Sequence, residues 1–128
     1  MLFRSIKLAR KYRKTVIVSS HNFQKTPGSS ILEKTLKASL KKGADIVKIA
    51  AKANSLSDVK RLMEFTAKHR KQNIITMSLG DVGSISRLIF PGAGSLLTYG
   101  YLTKPFGPGQ LPVDVLCKLL RIYYPGYR

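Results

Sequence analysis

Short runs of β-branched and other apolar residues alternate along this chain with longer segments in which apolar residues recur every three or four positions. Four of the short runs are typical of buried strands: Thr15–Ser20, Ala44–Ala51, Asn73–Met77 and Ser95–Tyr99. The longer segments are typical of amphipathic helices, and Leu32, Leu36 and Leu40 would lie on one face of the clearest one. The pattern therefore predicts four strand-then-helix units, preceded by the end of a basic amphipathic helix over residues 5–14.

Small polar residues and glycines predict where these helices begin and end. Ser30 and Glu33 have the spacing of a capping box, and Gly43 is placed to end the same helix. Ser55 or Ser57 can cap the next helix, whose apolar positions are Val59, Leu62, Met63 and Thr66. A short helix is expected after Gly83 and through Leu88, and a last one over Leu111–Tyr124, with its apolar positions at Val113, Leu116, Leu120 and Tyr123.

Consecutive strand-then-helix units require right-handed crossovers and a parallel sheet. A closed (β/α)8 barrel needs eight strands and typically about 250 residues. The 128 residues of this chain are therefore predicted to form α/β structure equivalent to half of such a barrel, as a single domain over residues 1–128.

The composition adds an unusual charge to this picture. Lys and Arg number 23 against 6 Asp and Glu, which gives a net charge of +17. The basic residues are densest at the predicted C-terminal ends of helices (10–14, 41–42 and 68–71), where the helix dipole stabilises cations. Solvated helix faces, a polyanion and an acidic partner all fit this charge, but no recognition helix or zinc finger accompanies it. Nucleic acid is therefore not expected beyond non-specific attraction.

Other features limit the location and the cofactors. Cys117 is the only cysteine, so an internal disulfide is excluded, and the chain fits a reducing compartment. No apolar run approaches the roughly 20 residues of a membrane span, and the first residues do not resemble a secretion signal. A cytoplasmic protein is expected. No metal-ligand spacing or complete G-x-G-x-x-G motif occurs, so we expect no metal and no cofactor.

Lys48 is the most informative candidate for chemistry, because it interrupts an otherwise apolar strand. Burial disfavours its ammonium form and so favours a nucleophilic amine that can form a Schiff base with a ketone. A lysine at the edge of the strand, with its ammonium group reaching solvent, would give the same pattern.

Three more polar residues are expected near the carboxyl ends of strands, where parallel α/β folds place their reacting groups. His21 could act as a general acid or base, or lie in a surface loop. Arg87 could bind a carboxylate or equally be a structural arginine of its helix, and Gln110 could donate to an oxygen or cap the last helix. His69 is expected on an exposed helix surface.

Five ordered blocks resemble the type I 3-dehydroquinate dehydratases and cover the chain from about Lys7 onward. They are Val16–Pro27, Gly43–Ala50, Ile75–Gly80, Ile85–Leu88 and Pro108–Gln110. The resemblance implies the C-terminal half of a TIM barrel that dehydrates 3-dehydroquinate to 3-dehydroshikimate in the shikimate pathway.

It also implies roles for individual residues. Lys48 would form an imine with the substrate ketone, and His21 would be the general acid and base. Arg87 and Gln110 would hold the substrate carboxylate and neighbouring oxygens. Phe106 departs from the family, which usually has a small hydroxyl residue there, and is expected to lose a hydrogen bond and narrow the mouth of the site.

The family's N-terminal strands, with a glutamate that partners the histidine and further substrate-binding residues, have no counterpart in this sequence. A homodimer, a complementary N-terminal half or a truncated chain would each explain this, and weak or no activity is expected from the chain alone. Two other functions remain open: a Schiff-base lyase of the aldolase type, and a basic half-barrel that binds or supports a partner without turnover.

Overall fold

The computed structural model describes residues 2–128, and their side chains from Arg4 onward, as helices packed against one small parallel sheet. The strands are β1 (Ile17–Asn22), β2 (Ile46–Lys52) and β3 (Ile74–Leu79). The helices are α1 (Leu2–Lys11), α2 (Ser29–Lys41), α3 (Leu56–Lys68), α4 (Ser86–Ala93) and α5 (Val113–Tyr123). The predicted repetition of strand and helix is confirmed for the first three units.

The sheet has the order β1-β2-β3, with all strands parallel; α2 crosses over from β1 to β2, and α3 crosses over from β2 to β3. Alternate residues of each strand point to opposite faces. Val47, Ile49 and Ala51 of β2 face the helices and join the main core. Helical residues complete that core: Leu32, Leu36, Val59, Leu62, Phe65 and Phe90.

The other face of the sheet carries the residues of interest. Ser19 of β1 and Ile75 of β3 are in register with Lys48, and His21 and Met77 are in register with Ala50. Partners in register point to the same side, so the strands present Lys48, His21 and Met77 on the face opposite the helical core.

The predicted start of α2 is only partly confirmed. The helix begins at Ser29, next to the predicted cap Ser30, but no side chain of the described residues caps it. Glu33 instead bonds to Lys68 and His69, at the end of α3. The capping-box prediction is therefore wrong, because charged partners from α3 compete for the carboxylate. Gly43 ends the helix as predicted, with a φ of +94°.

Two predictions of exposure are also corrected. Leu40 was expected on the buried face of α2, but it is 39% exposed, because the neighbouring core reaches only Leu32 and Leu36. His69 was expected on an exposed surface, but its side chain is only 12% exposed. It packs against Phe65 and hydrogen-bonds to Glu33, so it belongs to the contact between α2 and α3.

The predicted fourth strand, Ser95–Tyr99, does not form a strand. A single backbone hydrogen bond, from Leu96 N to Ile74 O (2.9 Å), joins it to β3. The Ser95 hydroxyl accepts a hydrogen bond from Thr76 N (3.0 Å), and so a side chain replaces the ladder partner that a fourth strand would supply. The segment lies beside β3 but is not paired along its length.

The helix that was expected to end at Leu88 continues to Ala93, with Pro91 inside it. Proline cannot donate to the carbonyl of Arg87, four residues earlier. The hydroxyl of Thr98 donates to that carbonyl instead, at 2.7 Å. A side chain from the following segment therefore compensates for the lost helical hydrogen bond.

Candidate active site

A cleft of about 540 Å³ opens at the carboxyl ends of the strands, on the face opposite the helical core. The three strands, the start of α4 and the loop before α5 all contribute to it. Its lining includes all five residues that the sequence proposed for the site: Lys48, His21, Arg87, Gln110 and Phe106. The fold thus brings into one place residues that lie up to 89 positions apart, from His21 to Gln110.

Lys48 is the third residue of β2, and its side chain is half-buried. Its Nζ lies 4.4 Å from the centre of the Tyr99 ring, a distance at which the ring attracts a cation. Tyr99 belongs to the segment predicted as the fourth strand, and its place in the site was not predicted from the sequence. The aromatic residue at the end of that run was the only available signal.

His21 was expected to begin a loop, but it is the fifth residue of β1, because the strand extends to Asn22. Its ring is exposed and stacks against Phe23, with ring centres 5.8 Å apart and planes inclined by 6°. Within the described part of the chain, no hydrogen bond fixes the imidazole. The ring therefore lines the cleft with neither nitrogen hydrogen-bonded within the described residues.

Arg87 is the most deeply buried charged residue of the cleft, with 2% of its surface exposed. Its Nε donates to Gly109 O at 2.9 Å, and Nη1 lies 3.7 Å from the sulfur of Met77. Across residues 4–128, no carboxylate forms an ion pair with it. Burial lowers the pKa of the guanidinium, because desolvation disfavours the charged form, but arginine stays protonated in proteins.

The loop before α5 closes one side of the cleft. Gln110 turns back, and its Oε1 accepts a hydrogen bond from Phe106 N at 2.6 Å. The ring of Phe106 lies at the rim and is 94% exposed. Gly109 has a φ of +80° and packs directly on Gly80, where any side chain would collide with the Gly80 carbonyl oxygen. This contact holds the loop against the end of β3.

The electrostatic character of the cleft is one-sided. Four of its lining residues carry basic groups, Lys48, Lys52, Arg87 and His21, and none of the lining residues is an aspartate or a glutamate. No cluster suited to a metal ion occurs among the described residues. The arrangement can attract an anion, hold a carboxylate at Arg87, and present a lysine amine to a carbonyl carbon.

These features define a class: part of a parallel β/α barrel whose cleft suits a small anionic ligand. The model of the type I 3-dehydroquinase family matches residues 2–126. The chain belongs to that family, and the resemblance found in the sequence is confirmed.

Individual relatives agree with the family model. The 3-dehydroquinate dehydratase of Hydrogenobaculum sp. (strain Y04AAS1) is 43% identical over 118 residues, which cover 92% of this chain and 54% of the relative. The crystal structure of the enzyme from Geobacillus kaustophilus HTA426 matches 99% of this chain and 51% of its own, with a TM-score of 0.91 and 29% identity. The enzyme from Aquifex aeolicus VF5 matches with a TM-score of 0.87 and 37% identity, over 97% of this chain and 56% of its own.

The chain thus spans about half the length of the relatives that it matches. The fold is accordingly a partial barrel. None of the helices in the described residues is long and apolar enough to cross a membrane.

Proposed function

We propose that this chain provides the lysine-bearing part of the active site of a 3-dehydroquinate dehydratase, which converts 3-dehydroquinate to 3-dehydroshikimate. One observation carries the proposal: a half-buried lysine shares a cleft without acidic lining residues with a buried arginine that forms no ion pair among residues 4–128. Such a cleft suits a ligand that has both a carboxylate and a ketone. The family to which the chain belongs indicates that this ligand is 3-dehydroquinate.

The chemistry begins at Lys48. Its neutral amine adds to the ketone carbon of the substrate, and loss of one water with uptake of one proton leaves a protonated imine. The imine withdraws electrons from the neighbouring carbon and makes its proton easier to remove. A structure of the type I enzyme from Clostridium difficile, 34% identical to this chain, contains covalently modified comenic acid, which supports a covalent mechanism.

His21 is the proposed proton carrier. It removes the proton next to the imine carbon, which leaves an enamine, and it then protonates the departing hydroxyl, which leaves as water. Hydrolysis of the imine releases the product and restores Lys48. The exposed and unbonded imidazole of His21 suits this exchange, since a base must approach within about 3 Å of the proton it removes, directly or through one water.

Arg87 and Gln110 are the proposed binding residues. The Arg87 guanidinium is fixed through Nε to Gly109 O, and so its other nitrogens can donate to a carboxylate. Gln110 uses its Oε1 on Phe106 N, which leaves its amide NH₂ to donate to a substrate oxygen. Phe106 cannot donate from its side chain, so we expect weaker binding at that edge.

The partial barrel also implies a partner for the site. The outer edge of β1 is unpaired in the sheet, and Leu96 and Leu97 are about half exposed beside β3. We propose that this chain is a single half-barrel domain, and that a second copy of it or a complementary N-terminal half covers these edges. It would act in the cytoplasm, where the single cysteine stays reduced.

The direct test is formation of the conjugated product, followed by its ultraviolet absorbance, with purified chain and 3-dehydroquinate. We expect slow conversion that is lost in Lys48→Met and retained in Lys118→Met, an exposed lysine of α5. Conversion that is unchanged in Lys48→Met would contradict the proposal. Cleavage of a carbon–carbon bond instead of loss of water would identify an aldolase-type enzyme.

A further inference from the structure

We propose that Lys52 is a further cation of the cleft that binds the anionic substrate. The inference rests on the proposed function of the same cleft and adds a residue to it. Lys52 is the last residue of β2, and it lines the cleft together with Lys48 and Arg87.

The strand geometry places Lys52 on the same face as Lys48. The two residues are four positions apart in β2, with Ala50 between them on that face and Leu79 of β3 in register with Lys52. At about 3.3 Å per residue, their Cα atoms are about 13 Å apart along the strand. Lys48 therefore lies deep in the cleft, and Lys52 lies at its mouth.

A series of backbone contacts relates Lys52 to Arg87. A Cβ atom added to Gly80 would lie 3.8 Å from the Cγ of Lys52. The aliphatic chain of Lys52 therefore runs alongside that glycine. Gly80 packs on Gly109, and Gly109 O accepts the hydrogen bond from Arg87 Nε. The two cations therefore lie on either side of the Gly80–Gly109 contact, and an anion near that contact is attracted by both.

The acidic residues near Lys52 do not neutralise it. Asp58 accepts hydrogen bonds from Asn54 N and Arg61, which keep its pKa below the usual range. Asp81, next to Gly80, is exposed and does not line the cleft. Within the described residues, no ion pair involves Lys52. Its charge is therefore available to a ligand.

This position implies a role in binding rather than in the chemical step. An exposed cation at the mouth of a cleft attracts an anionic ligand over several ångströms, and added salt screens that attraction. Lys52 should therefore affect the affinity for 3-dehydroquinate, and its contribution should decrease as the ionic strength rises.

The experiment measures binding without imine formation. The Lys48→Met chain is titrated with 3-dehydroquinate in a calorimeter and compared with Lys48→Met/Lys52→Met and with Lys48→Met/Lys118→Met. We expect the Lys52 substitution to raise the dissociation constant about three- to tenfold at roughly 0.02 M salt, and by less at roughly 0.2 M. The Lys118 substitution should leave the dissociation constant unchanged.

Lys52→Arg in the same background separates charge from folding, since it keeps the cation and should keep both the affinity and the salt dependence. Equal affinities with and without Lys52 at low salt would overturn the inference, as would a Lys48→Met chain that binds no 3-dehydroquinate. Failure of the proposed function has a different signature, namely Lys52-dependent binding in a chain whose Lys48 never reacts with the substrate.

Discussion

At Arg87, a charged side chain is buried with its nearest polar contacts to a carbonyl and a thioether. Burying a guanidinium without a carboxylate costs free energy, because water solvates the charge better than these two groups do. Folding therefore does not account for the choice of arginine at this position. A ligand carboxylate would supply the missing counter-charge, which agrees with the binding role proposed for Arg87.

We expect Arg87→Met to keep the free energy of unfolding within about 1 kcal/mol of the wild-type value, or to raise it, because methionine fills similar space without the buried charge. The same change should weaken 3-dehydroquinate binding by at least about tenfold, since a charge-assisted hydrogen bond is lost. Urea denaturation and calorimetry measure the two effects. Arg121→Met, an exposed position on α5, is the control, and a large loss of stability specific to Arg87→Met would assign Arg87 a structural role.

Single residues of the site differed in how far the sequence revealed them. Lys48 stood out because a cation in an apolar strand is unusual. Arg87 and Gln110 stood out by their places after strands, and the family resemblance then implied their roles. Tyr99 and Lys52 were missed, because an aromatic residue after a strand and a lysine at a strand end have ordinary structural explanations. Only the register of β2 and the course of the segment after α4 place them in the cleft.

Among the elements, α2 and α3 are joined by one cluster of charges. Glu33 accepts hydrogen bonds from Lys68 Nζ (2.7 Å) and His69 Nε2 (2.8 Å). These two partners lower the pKa of Glu33 from 4.5 to about 2. A carboxylate with a depressed pKa stabilises the fold above its unfolded pKa, and this contribution is lost as the pH falls through its folded pKa.

The urea midpoint of the wild-type chain should therefore fall as the pH is lowered from about 4.5 towards 2. Glu33→Gln should lower the midpoint at neutral pH and show a smaller decrease across that acidic range, because the titrating carboxylate is gone. Glu64→Gln, which removes an exposed pair with Lys60, is the control. Identical pH dependence of wild type and Glu33→Gln would contradict the role of this cluster.

A second element-scale prediction concerns the edge of β3. The buried hydroxyl of Ser95 bonds to Thr76 N and lies 3.4 Å from Thr76 O. Ser95→Ala should cost about 1–3 kcal/mol, because a buried backbone amide loses its partner. Ser30→Ala should cost little, since no side chain caps α2. Comparable losses at the two serines in thermal denaturation would show that the β3 edge does not depend on this hydroxyl.

The periodicity of apolar residues was enough to predict three strands and the helices between them. It failed where a side chain takes over a backbone contact. Ser95 replaces the ladder of a fourth strand, and Thr98 lets α4 continue past Leu88 through Pro91. Hydrogen bonds of this kind depend on tertiary placement, which hydrophobic spacing does not encode.

On the scale of the whole molecule, basic residues occur at both ends of the sheet as well as along the helices. The segments that lead into β1, β2 and β3 contain exposed basic residues and lie at the amino ends of parallel strands: Arg13, Lys14, Lys41, Lys42, Arg70 and Lys71. The cleft at the opposite end is basic as well. The proposed anionic substrate would account for the charge at the cleft. A solvated surface, an acidic partner and a non-specific polyanion all remain predictions for the other end.

The central claim is that the partial barrel holds Lys48 as a reactive amine in a substrate-binding cleft. The most direct test is borohydride reduction of the chain with 3-dehydroquinate, followed by intact-mass and peptide mass spectrometry. We expect one adduct of the reduced substrate, located on Lys48 and absent from Lys48→Met. The claim would be contradicted if the folded wild-type chain formed no adduct, or if the Lys48→Met chain were labelled as much as the wild type.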